Sequence, residues 1–326
     1  MRALVIGLGS IGARHARNLL TLGHEVVGFD PDPARRAVPG ATPVADLAHG
    51  FAAGCDFAVV ASPNRFHLEQ SLAAARSGLH LFVEKPLAAG GEGLAALLSE
   101  TSQRRLCAMV GSNWKFHPLL VQAKALLDAG EIGAPLAVQA VGGQYLPDWH
   151  PWEDYRRGYS ARSDLGGGAL LDSHELDLLA WLIGPVAAVN CREVRTGTLE
   201  IDTEDLVCMT LEFLNGALGT LQLDYLQRPY GRRVHLTGSK GTLIWNALEN
   251  ELALFTAAGG HWHRWRTPLS YDINQMYVDE MRHFADCIGS QGETRTSLRQ
   301  AAHVVAVFDA ARASAARGGA TQEVAT

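Results

Sequence analysis

The sequence predicts an α/β protein in two parts. A doubly wound parallel sheet comes first, followed by an α+β domain with a large, mainly antiparallel open sheet. Three observations carry this prediction. A glycine-rich turn, Gly7-Leu8-Gly9-Ser10-Ile11-Gly12, stands between an apolar strand run and a helical pattern. Short apolar runs then alternate with helical stretches of roughly 10–15 residues through the first third, the signature of parallel βαβ units. After Gly130 strand-like segments follow one another with turn signals between them.

Taken in order, Ala3–Ile6 reads as a buried strand, the stretch from the glycine turn to Leu22 as a helix, and Val26–Phe29 as a second strand ending at Asp30. Phe57–Ala61, Leu79–Val83 and Leu106–Gly111 read as further strands. His67–Ser77, Gly93–Gln103 and Pro118–Ala129 read as the helices between and after them. The first domain is placed at 1–118 and the second at 119–326. In the second, Pro135–Tyr145 reads as a strand, Asp148–Leu165 as a polar aromatic loop, and Ala169–Ile183 as a helix after Gly166-Gly167-Gly168. Val186–Arg195, Leu206–Phe213, Leu218–Tyr225, Arg233–Leu236, Thr242–Trp245 and Leu252–Phe255 read as strands, with Asn215-Gly216 as a hairpin signal. Gln275–Gly289 and Leu298–Arg317 read as helices, the last able to pack back on the first domain. The tail Gly318–Thr326 is expected to fray.

Composition narrows the class. Hydrophobic residues make up 47% of the 326, enough for a sizeable core. The net charge is −6 with no basic block, which argues against nucleic acid. No signal peptide is expected, and no apolar run approaches membrane-spanning length. The five cysteines form no CxxC and read as reduced thiols of a cytoplasmic protein.

The glycine turn has a chemical meaning in this setting. Gly7 makes the tight turn off the strand, Gly9 lets backbone approach a pyrophosphate, and Gly12 lets helix and strand pack closely. The helix N-terminus offers free N–H groups and a positive dipole end to a diphosphate. Asp30 ends the second strand 18 residues after Gly12. A carboxylate there accepts from both hydroxyls of an adenosine ribose and repels a 2′-phosphate, so NAD ranks before NADP. Arg35 and Arg36 keep NADP as the second choice.

Four further segments stand out: Ala61-Ser62-Pro63-Asn64 with His67, Glu84-Lys85-Pro86 after a strand, Gly166–Gly184, and Gly238-Ser239-Lys240-Gly241-Thr242. With the glycine turn and Arg14-His15, in this order and spacing, they resemble the Gfo/Idh/MocA oxidoreductases, which include glucose–fructose oxidoreductase and inositol dehydrogenase. The resemblance implies a Rossmann domain lined by Gly7, Leu8, Gly9, Ser10, Ile11, Gly12, Asp30, Ser62, Pro63, Asn64, His67, Glu84 and Lys85. It implies catalytic roles for Lys85, His174 and Asp172, and a Lys85–Pro86 bond that is often cis. It places Asn113, Lys115 and His117 toward nicotinamide and substrate, with Lys115 favoured. It also implies a homodimer or homotetramer through the second domain's sheet.

The residues themselves support some of these roles. A lysine just past a strand end can stabilise a developing alkoxide or polarise a carbonyl. The plainer alternative is a surface lysine paired with Glu84. His174 suits proton transfer because its pKa lies near neutrality. Its alternative is a structural pair with Asp177. The family usually sets its aspartate three or four residues ahead of the histidine, whereas Asp172 precedes His174 by two, and residues two apart on a helix do not share a face. In the loop Tyr145–Arg162, the aromatics Trp149, Trp152, Tyr155 and Tyr159 could stack on sugar rings. Arg156 and Arg157 could hold a carboxylate or phosphate. An ordinary surface loop is an equal alternative. His261-Trp262-His263 lacks a third ligand, and no metal is expected.

The function expected is an NAD(H)-dependent CH–OH oxidoreductase. It would interconvert a secondary alcohol and a ketone on a sugar, a sugar derivative (anionic or nucleotide-linked among them) or a cyclitol, in a cleft between the domains. The alternatives are a non-enzymatic NAD-sensing or partner-binding protein of the same fold, and elimination or glycoside cleavage through transient oxidation.

Overall fold

The computed structural model describes residues 1–172 and 174–325. The chain divides into two compact units, Met1–Phe116 with Asp272–Val305, and His117–Tyr271 with Ala306–Thr326.

The first unit is built on six parallel strands: β1 (Arg2–Ile6), β2 (Glu25–Phe29), β3 (Thr42–Pro43), β4 (Phe57–Val60), β5 (His80–Val83) and β6 (Ala108–Val110). Their spatial order is β3-β2-β1-β4-β5-β6. Ala3–Ile6 and Phe57–Val60 are wholly buried, as central strands covered on both faces must be, which is why they read as unbroken apolar runs. The order reverses between β1 and β4, and in such sheets the ligand crevice lies outside the carboxyl ends at that reversal. The helices of this part are α1 (Ser10–Thr21), α2 (Leu47–Phe51), α3 (His67–Arg76) and α4 (Leu94–Gln103). Neither β3, of two residues, nor α2, of five, was expected from sequence; both are too short to show a period.

The second unit carries a nine-stranded sheet: β7 (Pro135–Gly143), β8 (Val186–Val194), β9 (Leu206–Phe213), β10 (Leu218–Asp224), β11 (Gly231–Gly238), β12 (Gly241–Asn246), β13 (Glu251–Thr256), β14 (Trp262–Arg266) and β15 (Gln322–Glu323). The order is β14-β13-β12-β11-β7-β10-β9-β8-β15, antiparallel throughout the described pairs except for β7 beside β10. The mixed, mainly antiparallel sheet matches the expectation. On β9, Val207, Met209, Leu211 and Phe213 are buried while Cys208, Thr210 and Glu212 face out, the period-two pattern of a sheet with one covered face. Across the exposed face Thr210, Thr220 and Gln139 stand side by side in register, with His235 next. Helices α5 (Pro118–Asp128) and α6 (Glu175–Leu182) belong here.

Of the last two helices, α7 (Asn274–Ser290) lies in the first unit, where Asn274 and Asn18 of α1 exchange side-chain hydrogen bonds. α8 (Leu298–Ala316) holds β8 through Ser314 Oγ, which accepts the Cys191 N–H at 2.8 Å.

Two readings need correction, and one strand was missed. The tail does not fray at 322–324: Gln322 and Glu323 pair with β8, and Val324 N–H donates to Ala187 O at 2.8 Å. The helix expected over 169–183 begins only at Glu175; before it the Ala169 and Leu170 amides go to Glu204, and Asp172 N–H makes a single helical turn to Gly168 O at 3.1 Å. β14 was missed because its residues are aromatic and charged, with little alternation.

Two predictions follow from packing. A Cβ at Gly12 would lie 1.8 Å from Gly7 O, a backbone clash no rotamer relieves. Gly12→Ala should therefore cost about 2–3 kcal/mol of unfolding free energy, measured by urea denaturation. His117 caps α5, is buried, and sets its ring edge-on to Trp245 and Tyr271. Burial pushes its pKa down to about 4. The folded state thus prefers neutral His117, and that preference is complete above the unfolded value near 6.5 and lost as pH falls toward 4. Relative to His117→Asn, the wild type should lose up to about 3 kcal/mol more stability between pH 7 and 4. Parallel urea midpoints for the two proteins would show no such divergence if the ring titrates normally.

Candidate functional site

In the first unit, the turn after β1 packs on the segment after β4. Gly7 has φ +88, and a Cβ there would meet Ser62 N at 2.7 Å. Gly9 caps α1, so the cap residue itself has no side chain to occupy the first-turn amides. A Cβ at Gly9 would meet only Arg35 Nη1, at 3.6 Å. Asp30 is 5% exposed, and its Oδ2 accepts Leu8 N–H at 2.7 Å while Oδ1 accepts Asp32 N–H at 2.9 Å. Each carboxylate oxygen has lone pairs left for further donors. An open helix N-terminus, a bare glycine and a fixed carboxylate at the next strand end form the set a diphosphate and an adenosine ribose require. Arg36 Nε is tied to Asp30 O at 2.6 Å and Arg35 pairs with Asp32 at 3.7 Å, so both candidates for a 2′-phosphate are engaged locally.

The corner after β5 is held from two sides. Glu84 Oε1 meets His15 Nε2 of α1 at 2.5 Å, and its Oε2 accepts the Lys85 N–H at 3.2 Å. Burial pushes the Glu84 carboxyl up, but the His15 hydrogen bond and the charges of His15 and Lys85 outweigh it and leave it below its ordinary value. The Lys85–Pro86 peptide is cis. His67, 1% exposed at the start of α3, puts Nδ1 at 2.7 Å from Pro86 O and Nε2 at 2.7 Å from Ser62 O. Its ring therefore joins the loops after β4 and β5. Burial lowers its pKa, opposed by the two carbonyls. Ser62 Oγ donates to Gln70 at 2.6 Å, Pro63 precedes a single turn at Asn64–Phe66, and Asn64 is buried. Lys115, 2% exposed, turns its ammonium onto Thr296 Oγ1 at 3.2 Å, and Asn113 is buried beside it in the same turn.

In the second unit, Asp172 is the centre of a hydroxyl network. Its Oδ1 accepts from Tyr159 at 2.6 Å, and its Oδ2 from Ser160 at 2.7 Å and Tyr225 at 3.1 Å. Burial and the Asp172 charge push the Tyr225 phenol well up, so it stays a donor. His174 is the N-cap of α6, with Asp177 three residues on in the first turn. In the loop, Trp152 is 77% exposed, while Tyr155 OH accepts Glu200 N–H at 3.3 Å. Arg156 forks onto Asp154 and also reaches Glu200 at 3.2 Å, so its guanidinium is already engaged by two carboxylates. Ser160 and Tyr225 were not singled out in the sequence; Tyr225 lies 53 residues from Asp172, and no local signal announces it.

The model of an oxidoreductase family with NAD-binding Rossmann fold matches residues 1–112, and that of the GFO/IDH/MocA C-terminal domain matches residues 120–244. The chain belongs to the Gfo/Idh/MocA oxidoreductase family. As a member it is an oxidoreductase whose first unit is an NAD-binding Rossmann fold. Levoglucosan dehydrogenase of Pseudarthrobacter phenanthrenivorans is 28% identical over 57% of this chain and 54% of its own length, so the match spans about half of that relative. The scyllo-inositol 2-dehydrogenase (NAD(+)) of Bacillus subtilis is 26% identical over 88% of this chain and 86% of that protein. A solved levoglucosan dehydrogenase, in complex with NADH and levoglucosan, has the same fold, with a TM-score of 0.91 at 21% identity over 100% of both chains. Among the described residues no helix is long and apolar enough to cross a membrane.

Asp30 gives this family member a direct test. Asp30→Ser keeps a short acceptor for the turn but removes the charge. NADH affinity should fall about 10–100-fold by calorimetry, with a smaller loss for NADPH. Equal losses for both would contradict the ribose role.

Proposed function

We propose that this chain interconverts a secondary alcohol and a ketone on a sugar, a sugar derivative or a cyclitol, using NAD(H). The observation that carries the reading is the braced corner at Glu84-Lys85-Pro86. His15 fixes Glu84, Glu84 fixes the Lys85 amide, and His67 meets the Pro86 carbonyl. A lysine whose backbone is held on both sides presents its ammonium from a defined origin, as stabilisation of an oxygen in the transition state requires.

In this reading Lys85 donates hydrogen bonds to the reacting oxygen. His174 takes the hydroxyl proton on oxidation and returns it on reduction. NAD, when bound, accepts the hydride that the carbinol carbon loses. Asp172 acts on the substrate through Tyr159, whose hydroxyl it holds. Trp152, Tyr155 and Tyr159 supply aromatic faces for a ring, and Lys115, turned onto Thr296, a supporting contact at most. The engaged Arg156 favours an uncharged polyol over an anionic sugar. Relatives named for levoglucosan and inositols agree with that preference. The exposed polar face of the nine-stranded sheet suits self-association into a dimer or tetramer.

The test is nicotinamide reduction, followed by absorbance, across levoglucosan, myo- and scyllo-inositol, and hexuronic acids. Lys85→Ala and His174→Ala should each lower kcat/KM about 10²–10⁴-fold with NADH affinity kept within a few-fold. Wild-type turnover in either variant would remove that residue from the mechanism.

A further inference from the structure

Next to His174 lies a charge pair, its carboxylate buried, that none of these roles uses. Glu175 opens α6 and is 1% exposed. Its Oε2 accepts the His174 N–H at 3.0 Å. Its Oε1 lies 2.6 Å from Arg232 Nε on β11, a charge contact without the alignment of a linear hydrogen bond. Arg232 is paired in register with Gly142 of β7. A Cβ at Gly142 would come within 2.3 Å of Glu175 Oε1, so the carboxylate occupies the volume a side chain would fill. Burying such a pair gains little stability, because desolvation of both charges offsets their attraction. Its value must lie elsewhere.

Covalent geometry decides what the carboxylate can influence. With Oε2 held 3.0 Å from the His174 nitrogen, the imidazole stays within roughly 8 Å of it in any rotamer. A single uncompensated charge at that range shifts a histidine by about half a unit to one unit. The arginine charge in contact with that carboxylate acts on the ring with the opposite sign.

We propose that the Glu175–Arg232 pair positions His174: it pins the histidine's backbone at the start of α6 and removes the field that either charge alone would impose on the ring. The proposal rests on the reading of His174 as the proton acceptor. Titratable groups on neighbouring elements include Asp177 on α6, Asp172 with Tyr159 and Tyr225, Asp224 on β10 beside Gly143, Glu204 against Leu170, and Tyr230, whose phenol burial pushes up. All are common to the variants below.

The experiment is a pH titration of histidine ring resonances in the full-length chain labelled at imidazole carbon. The His174 signal is identified by its loss in His174→Asn. Glu175→Gln, which removes the carboxylate's negative charge, should lower the His174 pKa by about half a unit or more. The double variant Glu175→Gln with Arg232→Met should return it toward wild type. If Glu175→Gln does not fold, Arg232→Gln decides, and must raise the value. An unchanged pKa in Glu175→Gln, a double variant that stays with the single, or a flat or falling value in Arg232→Gln would overturn the proposal. Turnover of His174→Asn, measured alongside, separates the two readings: wild-type turnover there ends the catalytic role of His174 without touching the charge test.

Discussion

The first unit depends on one backbone contact. The Gly12 Cα must pass close enough to Gly7 O that a methyl group would lie 1.8 Å from it. That contact sets the angle at which α1 leaves β1 and therefore where its first-turn amides point. It also lets the turn lie against the segment after β4, since Gly7 in turn closes on Ser62. Two strand ends thus become one surface at the reversal of the sheet. The Asp30 carboxylate then accepts the Leu8 N–H, tying the second strand end to the same turn. The shape of this surface follows from close backbone approach, with the Asp30 carboxylate as its side-chain tie.

The corner at Glu84-Lys85-Pro86 is fixed differently, by polar groups. Burying Glu84, His15 and His67 is costly unless each finds partners. His15 meets Glu84 through Nε2, Glu84 takes the Lys85 amide, and His67 stands between two carbonyls, of which its neutral ring donates to one. Removing one member would leave a buried polar group unpaired, so the members hold one another in place. Rigidity in the backbone at Lys85 leaves only its own side-chain torsions to adjust.

The sequence disclosed what is local and withheld what is distant. The glycine turn, the alternation of strands and helices, and Glu84-Lys85-Pro86 are contiguous signals, and the parallel sheet follows from them. The Asp172 network was hidden because Tyr225 and Ser160 come from separate stretches, and Glu175 reads as an ordinary charged residue until Arg232 arrives on β11. The tail was misread for a similar reason. Its residues are small and polar, but their order comes from hydrogen bonds to β8, including Asn190 to Gly319 O and Thr321. Local composition carries no trace of such partners.

The short spacing between Asp172 and His174 is settled by where the helix begins. Glu204 accepts the Ala169 amide with its carbonyl and the Leu170 amide with its carboxylate, and the Asp172 N–H closes one turn onto Gly168 O at 3.1 Å before the helix proper. α6 starts at Glu175, leaving His174 as its cap and Asp172 outside it. The helical-face rule that weighed against the pair does not apply to residues that precede the helix. Asp172 nonetheless spends its oxygens on three hydroxyls, from Tyr159, Ser160 and Tyr225. Its charge is best understood as holding the aromatic loop in place, while the carboxylate bonded at His174's own backbone is that of Glu175.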